Sequence, residues 1–210
     1  MNVLFDFDGT LFDTYEGVSR CVNFALKAMG RNELEASVLR RFLGPPIPLS
    51  FREYAGLCGE DVEKATVLFR TEYAKSGLYE SRPYDGIKEL LARLKARGIR
   101  TAIASSKPQF AIETLLLRNG MEELFDKVVG VNGVRQSPDK SDILLEAAGG
   151  KDAVMVGDRL YDIAAAKSCG FKSIGVTYGF GSADELKEAG VDMLANDMSE
   201  LESAIKRLMN

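Results

Sequence analysis

The second half of the chain repeats one structural unit, and this repetition constrains the fold more than any other feature. Four helical patterns each end at a glycine, and a short apolar run follows each of them. The helices are predicted at about residues 87–97, 107–119, 139–148 and 160–169. The strands are predicted at residues 99–105, 127–131, 153–156 and 172–176. Because a glycine just past a helix turns the chain into the next strand, these units imply right-handed crossovers and a parallel sheet.

An apolar run at residues 2–7 predicts one further strand, covered on both faces. The predicted fold class is therefore α/β, with a doubly wound, Rossmann-like parallel sheet. The alternation stops between about residues 13 and 81, where helices are predicted at 15–29, 33–43 and 60–76, with a Gly-Pro-Pro-Ile-Pro breaker at 44–48. Such an insert exceeds an ordinary loop. We therefore predict an α/β core of residues 1–14 and 81–210, interrupted by an all-helical domain of residues 15–80.

The composition argues against several partners and locations. The 210 residues include 27 basic and 31 acidic side chains, a formal net charge of -4. Because nucleic acids and anionic membranes attract basic proteins, we expect neither as a partner. No apolar run approaches the roughly 20 residues of a membrane span, and the first residues lack a signal-peptide pattern. Three cysteines without CxxC spacing indicate free thiols, so we expect a reducing, cytoplasmic location.

Histidine is absent from the chain. Its absence removes an imidazole base, a serine–histidine or cysteine–histidine pair, and any zinc site that needs imidazole. Any chemistry must therefore use carboxylates, hydroxyls, lysines, arginines or a metal ion.

The sequence Asp6-Phe7-Asp8-Gly9-Thr10 coincides with the end of the first predicted strand. Alternation along an extended backbone places the Asp6 and Asp8 side chains on the same side. Gly9 permits a tight turn with exposed backbone N–H groups. Because open α/β sheets bind ligands at the carboxyl ends of central strands, both carboxylates are candidate functional groups. The ordinary alternative is a strand-to-helix turn with solvated aspartates.

A second acidic pair stands in the segment GDRLYD at 157–162, directly after a predicted strand. Asp158 lies at the strand end, and Asp162 follows one helical turn later. Alone, this pair also fits acidic residues favoured by a helix dipole. Gathering Asp6, Asp8 and Asp158 would cost about 4 kcal/mol for each like pair near 4 Å, unless a cation lies among them. Oxygen ligands without imidazole or thiolate point to Mg²⁺.

Hydroxyl and ammonium groups follow other strands of the predicted sheet. Ser106 and Gln109 have capping-box spacing, with Pro108 in the first turn of the next helix. A cap explains Ser106, whereas Ser105 fits a hydroxyl that holds a phosphate at a helix N-terminus. Lys140 sits at a predicted helix start, where a cation is unfavourable unless an anion lies nearby. A solvated lysine is the ordinary alternative.

Together these motifs resemble the haloacid dehalogenase superfamily of phosphatases, in the branch with a helical cap after the first motif. DxDGT at 6–10, Ser105, Lys140 and GDxxxD at 157–162 occur in that family's order, and the similarity covers essentially the whole chain. The resemblance implies an aspartyl-phosphate mechanism, Mg²⁺ as cofactor and a small phosphorylated metabolite as substrate. It also implies that the α/β core is catalytic and that residues 15–80 form the cap.

The resemblance further implies a role for each matching residue. Asp6 attacks phosphorus, while Asp8 protonates the leaving oxygen and later deprotonates water. Asp6, Asp158 and the backbone carbonyl of Asp8 bind Mg²⁺, and Asp162 supports this site as a ligand or from behind the ligands. The candidate phosphate contacts are Gly9, Thr10, Ser105, Ser106 and Lys140.

Lys140 departs from the family pattern in one respect. It is not preceded by the Lys-Pro pair of many relatives, so Arg135 and Lys107 compete for its role. We prefer Lys140 because it lies between the second and fourth motifs, where the family places its lysine.

Within the superfamily the chain looks closest to phosphoglycolate phosphatase-like proteins, so 2-phosphoglycolate is the substrate that we expect first. Arg40 and Arg41 stand beside a stiff loop at 42–46 and could meet the carboxylate of such a substrate. Solvated arginines are the ordinary alternative. Nucleoside monophosphates and sugar phosphates stay open as substrates. For the assembly we expect a monomer or a homodimer.

Other functions also fit parts of the pattern. A phosphomutase would return the phosphoryl group to the substrate, and the sequence leaves this open. A phospho-accepting signalling domain shares clustered aspartates, a hydroxyl and a lysine, but it lacks the helical insert. A non-catalytic nucleotide-binding domain fails, because Gly179-Phe180-Gly181 continues to Asp184 where GxGxxG needs glycine. A dehalogenase is disfavoured, since a halide does not need the proton that Asp8 would deliver.

Overall fold

The computed structural model describes residues 1–132 and 139–209, and the chain forms two compact units. One unit consists of residues 1–12 and of the chain from Pro83 onwards, and the other of Asp13–Arg82. The predicted boundaries, 14/15 and 80/81, lie close to the two points where the chain passes from one unit to the other. The assignment of the units as a catalytic core and a cap stays a prediction.

The first elements of the chain are two short strands, β1 (Asn2–Phe5) and β2 (Phe12–Asp13). The second unit is helical. Its helices are α1 (Tyr15–Ala28), α2 (Ala36–Leu39), α3 (Ile47–Tyr54) and α4 (Glu60–Lys75). Two 3-10 turns follow α2 and α4, at Arg40–Phe42 and Gly77–Glu80.

After β3 (Arg82–Pro83), helices alternate with strands through the rest of the described chain. The helices are α5 (Ile87–Ala96), α6 (Gln109–Asn119), α7 (Lys140–Ala148), α8 (Leu160–Ser168), α9 (Ala183–Glu188) and α10 (Met198–Met209). The strands are β4 (Arg100–Pro108), β5 (Lys127–Val131), β6 (Ala153–Gly157), β7 (Lys172–Val176) and β8 (Met193–Ala195). A 3-10 turn at Glu122–Leu124 lies between α6 and β5.

Six of these strands form one sheet in the order β5-β4-β1-β6-β7-β8. Neighbouring strands are parallel, and Phe5 of the central strand β1 lies opposite Ile103 on one side and Val156 on the other. The chain extends the sheet in one direction from β1 to β5 and in the other from β6 to β8. Sheets of this kind bind ligands at the carboxyl ends of the strands that flank such a reversal. The predicted doubly wound α/β fold is confirmed.

The central position of β1 follows from its apolar sequence. All four residues of β1 are buried, and Leu4 packs in a core with Met155 of β6 and Leu144 of α7. Glycines end the helices as predicted: Gly120 after α6 and Gly149 after α7 both have a φ of 61°. These left-handed residues turn the chain back towards the sheet.

Two predictions in the helical unit are wrong. The helix predicted at 33–43 is reduced to α2 and a 3-10 turn, because Asn23 binds both backbone groups of Leu34. The Leu34 N–H donates to Asn23 Oδ1 at 2.9 Å, and Asn23 Nδ2 donates to the Leu34 carbonyl at 3.4 Å. The breaker predicted at 44–48 separates helical segments only up to Pro46, because a helix that was not predicted, α3, begins at Ile47. Pro48 lies in the first turn of that helix, where a missing N–H costs nothing.

Arg40 and Arg41 are exposed, but each guanidinium stacks on a tyrosine ring of the same unit. The Cζ atom of Arg41 lies 4.1 Å from the ring centroid of Tyr54, and that of Arg40 lies 5.0 Å from the ring centroid of Tyr15. An exposed cation–π contact contributes about 0.5–1 kcal/mol. The two guanidinium planes are therefore held against the helical unit, while their N–H edges can still donate hydrogen bonds.

The last elements, α9, β8 and α10, were not predicted. Leu201, Ala204 and Ile205 bury one face of α10, so the sheet is extended and covered beyond β7. Across residues 1–132 and 139–209, none of the helices combines the length and apolarity needed to cross a membrane.

Candidate active site

The loop after β1 places Asp6 at the carboxyl end of the central strand. Asp6 is 6% exposed, and its backbone N–H donates to the Val156 carbonyl at 2.9 Å. Gly9 turns the chain with a φ of 79°, and a Cβ there would lie 2.1 Å from Asp158 Oδ2. Only glycine fits this position, in conformation and in space. The tight turn that the sequence predicted at Gly9 is present, and the Gly9 N–H closes it by donating to the Phe12 carbonyl at 2.8 Å.

Asp158 is fully buried at the end of β6, and two donors hold it. The Phe180 N–H donates to Asp158 Oδ2 at 2.8 Å, and the Thr10 hydroxyl donates to Oδ1 at 3.3 Å. The Thr10 N–H points to the Phe7 carbonyl at 3.4 Å. Thr10 thus supports a carboxylate in this structure, and the role of Gly9 and Thr10 as phosphate contacts stays a prediction.

Asp162 lies in the first turn of α8 and completes an acidic cluster. Its Oδ2 accepts the Arg159 N–H at 3.1 Å, which closes the helix N-terminus. Gly157 makes room for it, since a Cβ at Gly157 would lie 2.3 Å from Asp162 Cγ. Asp6, Asp158 and Asp162 each present a carboxylate oxygen within 4.8 Å of the others. The structure therefore joins Asp162, whose role was left open, to two of the predicted metal ligands.

Burial and neighbouring charges raise the pKa values of two carboxyl groups in this cluster. The pKa of Asp158 is raised well above its usual range, first by burial and then by the negative charges of Asp162 and Asp6. The pKa of Asp162 is also raised by burial and by Asp6, although Lys140 opposes this shift. The cluster therefore resists carrying three negative charges unless cations neutralise it.

Lys140 supplies one such cation. Its Nζ lies 2.8 Å from Asp6 Oδ1 and 2.9 Å from Asp162 Oδ1. Burial alone would lower the pKa of Lys140, but the two carboxylates raise it above its usual range and keep the ammonium charged. Lys140 is the first residue of α7, and Asp139 caps that helix by accepting the Ser141 N–H at 3.2 Å. The two carboxylates explain a cation where the helix dipole disfavours one.

The end of β4 differs from the prediction. The strand continues to Pro108 and α6 begins only at Gln109, because the residue before a proline avoids helical backbone and Lys107 therefore stays extended. The predicted capping box between Ser106 and Gln109 is wrong. Ser106 is exposed and does not cap α6, and Gln109 Oε1 instead accepts the N–H of Gly130 on β5 at 2.6 Å.

Ser105 and Lys107 are both buried at this strand end. The Ser105 hydroxyl accepts the Lys107 N–H at 3.3 Å and retains its own proton to donate. The ammonium groups of the two lysines bind different carboxylates: Lys107 Nζ lies 2.8 Å from Asp8 Oδ1, whereas Lys140 contacts Asp6. The other competitor for the Lys140 role, Arg135, lies outside the described residues.

The donor set of the cluster fits a hard divalent cation. Three carboxylates and the Lys140 ammonium leave two formal negative charges, which one divalent ion would balance. Carboxylate oxygens are the ligands that Mg²⁺ prefers in proteins. Asp6, Asp158 and Asp162 would supply them. The Asp8 carbonyl, the remaining predicted ligand, stays a prediction.

Sequence reasoning missed the loop that closes over Asp158. Phe180 lies between two glycines, and a Cβ at Gly179 would lie 2.5 Å from the Asp158 Cβ atom. A Cβ at Gly181 would lie 2.0 Å from the Asp158 carbonyl oxygen. The Gly-Phe-Gly tripeptide was the available signal, because glycines allow two backbone segments to approach closely.

These observations define the class of protein: an α/β enzyme with a buried acidic site at the carboxyl ends of two adjacent parallel strands. The family model described as haloacid dehalogenase-like hydrolase matches residues 3–176. The chain belongs to this family.

Several proteins are similar over nearly the whole chain. A 5'-nucleotidase of Pseudomonas aeruginosa is 34% identical over 98% of this chain and 95% of its own length. A tyrosine-protein kinase PtkA of Mycobacterium tuberculosis is 32% identical over 97% and 72%. A phosphoglycolate phosphatase of Colwellia psychrerythraea is 28% identical over 98% and 96%.

Solved structures agree with this assignment. A crystal structure of a "predicted phosphatase" from Clostridium acetobutylicum has a TM-score of 0.93 and 36% identity, over 99% of this chain and 98% of that one. The predicted superfamily and enzyme class, a phosphatase-type hydrolase, are confirmed. The names of the relatives differ in substrate, and one of them names a kinase.

Proposed function

We propose that this chain is a Mg²⁺-dependent phosphomonoester hydrolase that forms an aspartyl-phosphate on Asp6. One observation carries the proposal. Asp6 lies buried at the end of the central strand, in contact with the Lys140 ammonium and within a carboxylate cluster that includes Asp158 and Asp162. The Lys140 ammonium lies against the carboxylate that would attack phosphorus, and a cation beside a buried carboxylate offsets part of the cost of its burial.

The proposed reaction has two steps. An Asp6 carboxylate oxygen attacks phosphorus, the bond to the leaving oxygen breaks, and Asp8 gives that oxygen a proton. Water then attacks the phosphorus of the aspartyl-phosphate, and Asp8 takes the proton from this water, which restores both aspartates.

Phosphoryl transfer needs in-line positioning and neutralisation of charge on the equatorial oxygens. The Lys140 ammonium, at the start of α7, and the Ser105 hydroxyl, near the carboxyl end of β4, would bind those oxygens. A Mg²⁺ ion held by Asp6 and Asp158 would supply further neutralisation when bound. Each of these roles remains part of the proposal.

As substrate we propose 2-phosphoglycolate first and a nucleoside 5'-monophosphate as the alternative. The similarity to a phosphoglycolate phosphatase supports the first, as do the stacked guanidinium groups of Arg40 and Arg41, since planar N–H pairs bind carboxylates well. The higher identity to a 5'-nucleotidase supports the second. Comparing kcat/KM for 2-phosphoglycolate, adenosine 5'-monophosphate and glucose 6-phosphate distinguishes them, and the proposal fails for 2-phosphoglycolate if it is the poorest of the three.

We also propose that residues 1–14 and 81–210 act as the catalytic core and residues 15–80 as a cap that selects the substrate. Exchange of residues 15–80 for the corresponding segment of a relative should change the order of substrates and preserve the Mg²⁺ requirement. An unchanged order of substrates would count against the cap assignment.

Asp6→Asn tests the nucleophile. We expect phosphate release from p-nitrophenyl phosphate with saturating MgCl₂ to fall by roughly 10³-fold or more, because an amide cannot form the acyl-phosphate. The unfolding temperature should not fall. Asp152→Asn is the matched control, since Asp152 is exposed and precedes β6 at its amino end, and it should keep the wild-type rate. Undiminished activity in Asp6→Asn overturns the mechanism.

Chelation and product analysis separate the phosphatase from its rivals. EDTA should abolish phosphate release, and added Mg²⁺ should restore it. A phosphomutase would need a bisphosphate for turnover, and a signalling domain would keep its phosphoryl group for minutes. A hydrolase should instead release many equivalents of phosphate for each enzyme molecule.

A further inference from the structure

Lys107 is a buried lysine that the proposed mechanism does not use. It lies at the carboxyl end of β4, beside the central strand, and its side chain is 4% exposed. Taking an ammonium group out of water costs several kcal/mol unless a partner compensates the loss. A buried ammonium at the site therefore needs an explanation beyond packing.

This ammonium contacts the carboxylate of Asp8. Lys107 Nζ donates to Asp8 Oδ1 at 2.8 Å, and it also lies 5.6 Å from the ring centroid of Phe7. Asp8 itself is more accessible, with 23% of its side chain exposed. The pair thus joins a buried ammonium to a carboxylate that solvent can reach.

The backbone that carries Lys107 is fixed on both sides. Its N–H donates to the Ser105 hydroxyl at 3.3 Å. On β5, Gly130 comes so close that a Cβ there would lie 2.8 Å from the Lys107 carbonyl oxygen. Pro108 restricts the backbone that follows. The ammonium therefore sits on a rigid strand end and can hold another side chain in place.

We propose that Lys107 is a positioning residue that holds the Asp8 carboxyl group for proton transfer. This inference rests on the proposed function. The ammonium binds Oδ1, so that the other oxygen, Oδ2, carries the transferred proton. In the first step that proton moves from Asp8 to the leaving oxygen as the P–O bond breaks, and in the second step Asp8 takes a proton from water. Lys107 keeps its own protons throughout.

Dependence on the leaving group separates this role from phosphate binding. An alkoxide or phenoxide leaving group needs the Asp8 proton, whereas 2,4-dinitrophenolate leaves without one. The rate of alcohol release should be measured in a single turnover with enzyme in excess, which isolates the first step. For Lys107→Met we expect roughly 10²-fold slower release from phenyl phosphate and a change within about threefold for 2,4-dinitrophenyl phosphate.

A double-mutant comparison shows whether Lys107 acts through Asp8. Asp8→Asn alone should show the same dependence on the leaving group. Adding Lys107→Met to Asp8→Asn should slow phenyl phosphate cleavage by less than about threefold, because the group that it positions is already lost. Lys88→Met is the matched control: Lys88 is a half-buried lysine that donates to the Asn119 carbonyl at 2.7 Å, and its loss should leave both rates unchanged.

Each other outcome has a definite meaning. An equal loss for both esters, or an additive loss in the double variant, overturns the positioning role and assigns Lys107 to phosphate binding or to structure. If Lys107→Met does not fold, Lys107→Gln serves in the same assay, because it keeps a donor of similar reach without the charge. If the wild-type protein cleaves neither ester in the presence of Mg²⁺, the proposed function itself fails. If the wild type is active with Mg²⁺ but the Lys107 variants show no dependence on the leaving group, only the positioning role fails.

Discussion

Asp158→Asn should make the metal-free protein more stable, although it should damage the enzyme. Asp158 is fully buried, and its carboxylate lies within 4.8 Å of those of Asp6 and Asp162. An asparagine has nearly the same shape, can accept the Phe180 N–H through its carbonyl oxygen and can donate to the Thr10 hydroxyl. The substitution therefore removes a negative charge and keeps the hydrogen bonds.

The separation of the carboxylates sets the magnitude. At 4.8 Å and an effective dielectric of 20, one like-charge pair repels by about 3.5 kcal/mol. Asp158 faces two such neighbours, and the Lys140 ammonium offsets one of them, so one repulsion stays uncompensated. Because about 1 kcal/mol shifts the unfolding temperature of a chain of this size by roughly 2–4 °C, we expect Asp158→Asn to raise it by about 10 °C in EDTA at pH 7.

The raised pKa of Asp158 fixes the direction of the pH dependence. Below the pKa of an unfolded aspartate, about 4, the group is protonated in both states and costs nothing. As the pH rises through the folded pKa, the buried carboxylate ionises and stability is lost. The wild type and Asp158→Asn should therefore unfold at similar temperatures near pH 4 and diverge as the pH increases, with the wild type lower.

Thermal unfolding followed by circular dichroism, in EDTA and in MgCl₂, tests this reasoning. Mg²⁺ should stabilise the wild type and have little effect on Asp158→Asn. Asp192→Asn is the control of opposite sign: hydrogen bonds from Lys172 and Ser173 lower the pKa of Asp192 against the effect of its partial burial, so its loss should destabilise the protein in both buffers. An Asp158→Asn protein less stable than the wild type in EDTA at pH 7, or equal stabilisation of both by Mg²⁺, refutes the electrostatic argument.

Two further substitutions test the packing and charge of the same cluster. Gly157→Ala would place a Cβ 2.3 Å from Asp162 Cγ, so we expect a loss of about 1–3 kcal/mol of stability in urea unfolding and a lower kcat. Gly149→Ala is the control, because Gly149 has open space around it but a φ of 61°; it should cost about 1 kcal/mol of stability and keep kcat. A wild-type kcat in Gly157→Ala would contradict the prediction that Asp162 needs the space beside Gly157. Lys140→Met leaves two buried carboxylates without their ammonium and should lower metal-free stability by about 3–5 kcal/mol and slow phosphoenzyme formation. Unchanged stability of Lys140→Met in EDTA would show that the contacts of Lys140 with the two carboxylates do not stabilise the metal-free protein.

Strand ends could be located from sequence because continuous apolar runs stop close to them. Asp6 lies at the end of one such run, Asp158 follows another, and the fold class dictates that parallel strands end at the same edge. Lys140 could be singled out because a lysine at a helix start opposes the dipole. These three side chains meet in the structure as the predicted topology requires.

The partners of other side chains could not be predicted, because they depend on which strands become neighbours. Lys107 reaches Asp8 only because β4 lies beside β1 and stays extended to Pro108. Capping-box spacing predicted a helix start at that point and so hid this contact. In the helical unit, a predicted helix is shorter because the Asn23 side chain, on the preceding helix, takes the backbone hydrogen bonds of Leu34. The cytoplasmic location and the monomeric or homodimeric state stay predictions.

The place of β1 in the sheet determines the order in which the protein can become active. Asn2 pairs with Arg100 on one side and Ala153 on the other, so the ribosome must add about 100 residues after β1 before the first ladder can close, and about 150 before the second can. Until then an apolar strand is exposed and prone to aggregation, which makes early folding the stage at which chaperones matter most. Since these late pairings position Asp6, the proposed nucleophile, recovery of catalysis during refolding should mark a late stage of assembly.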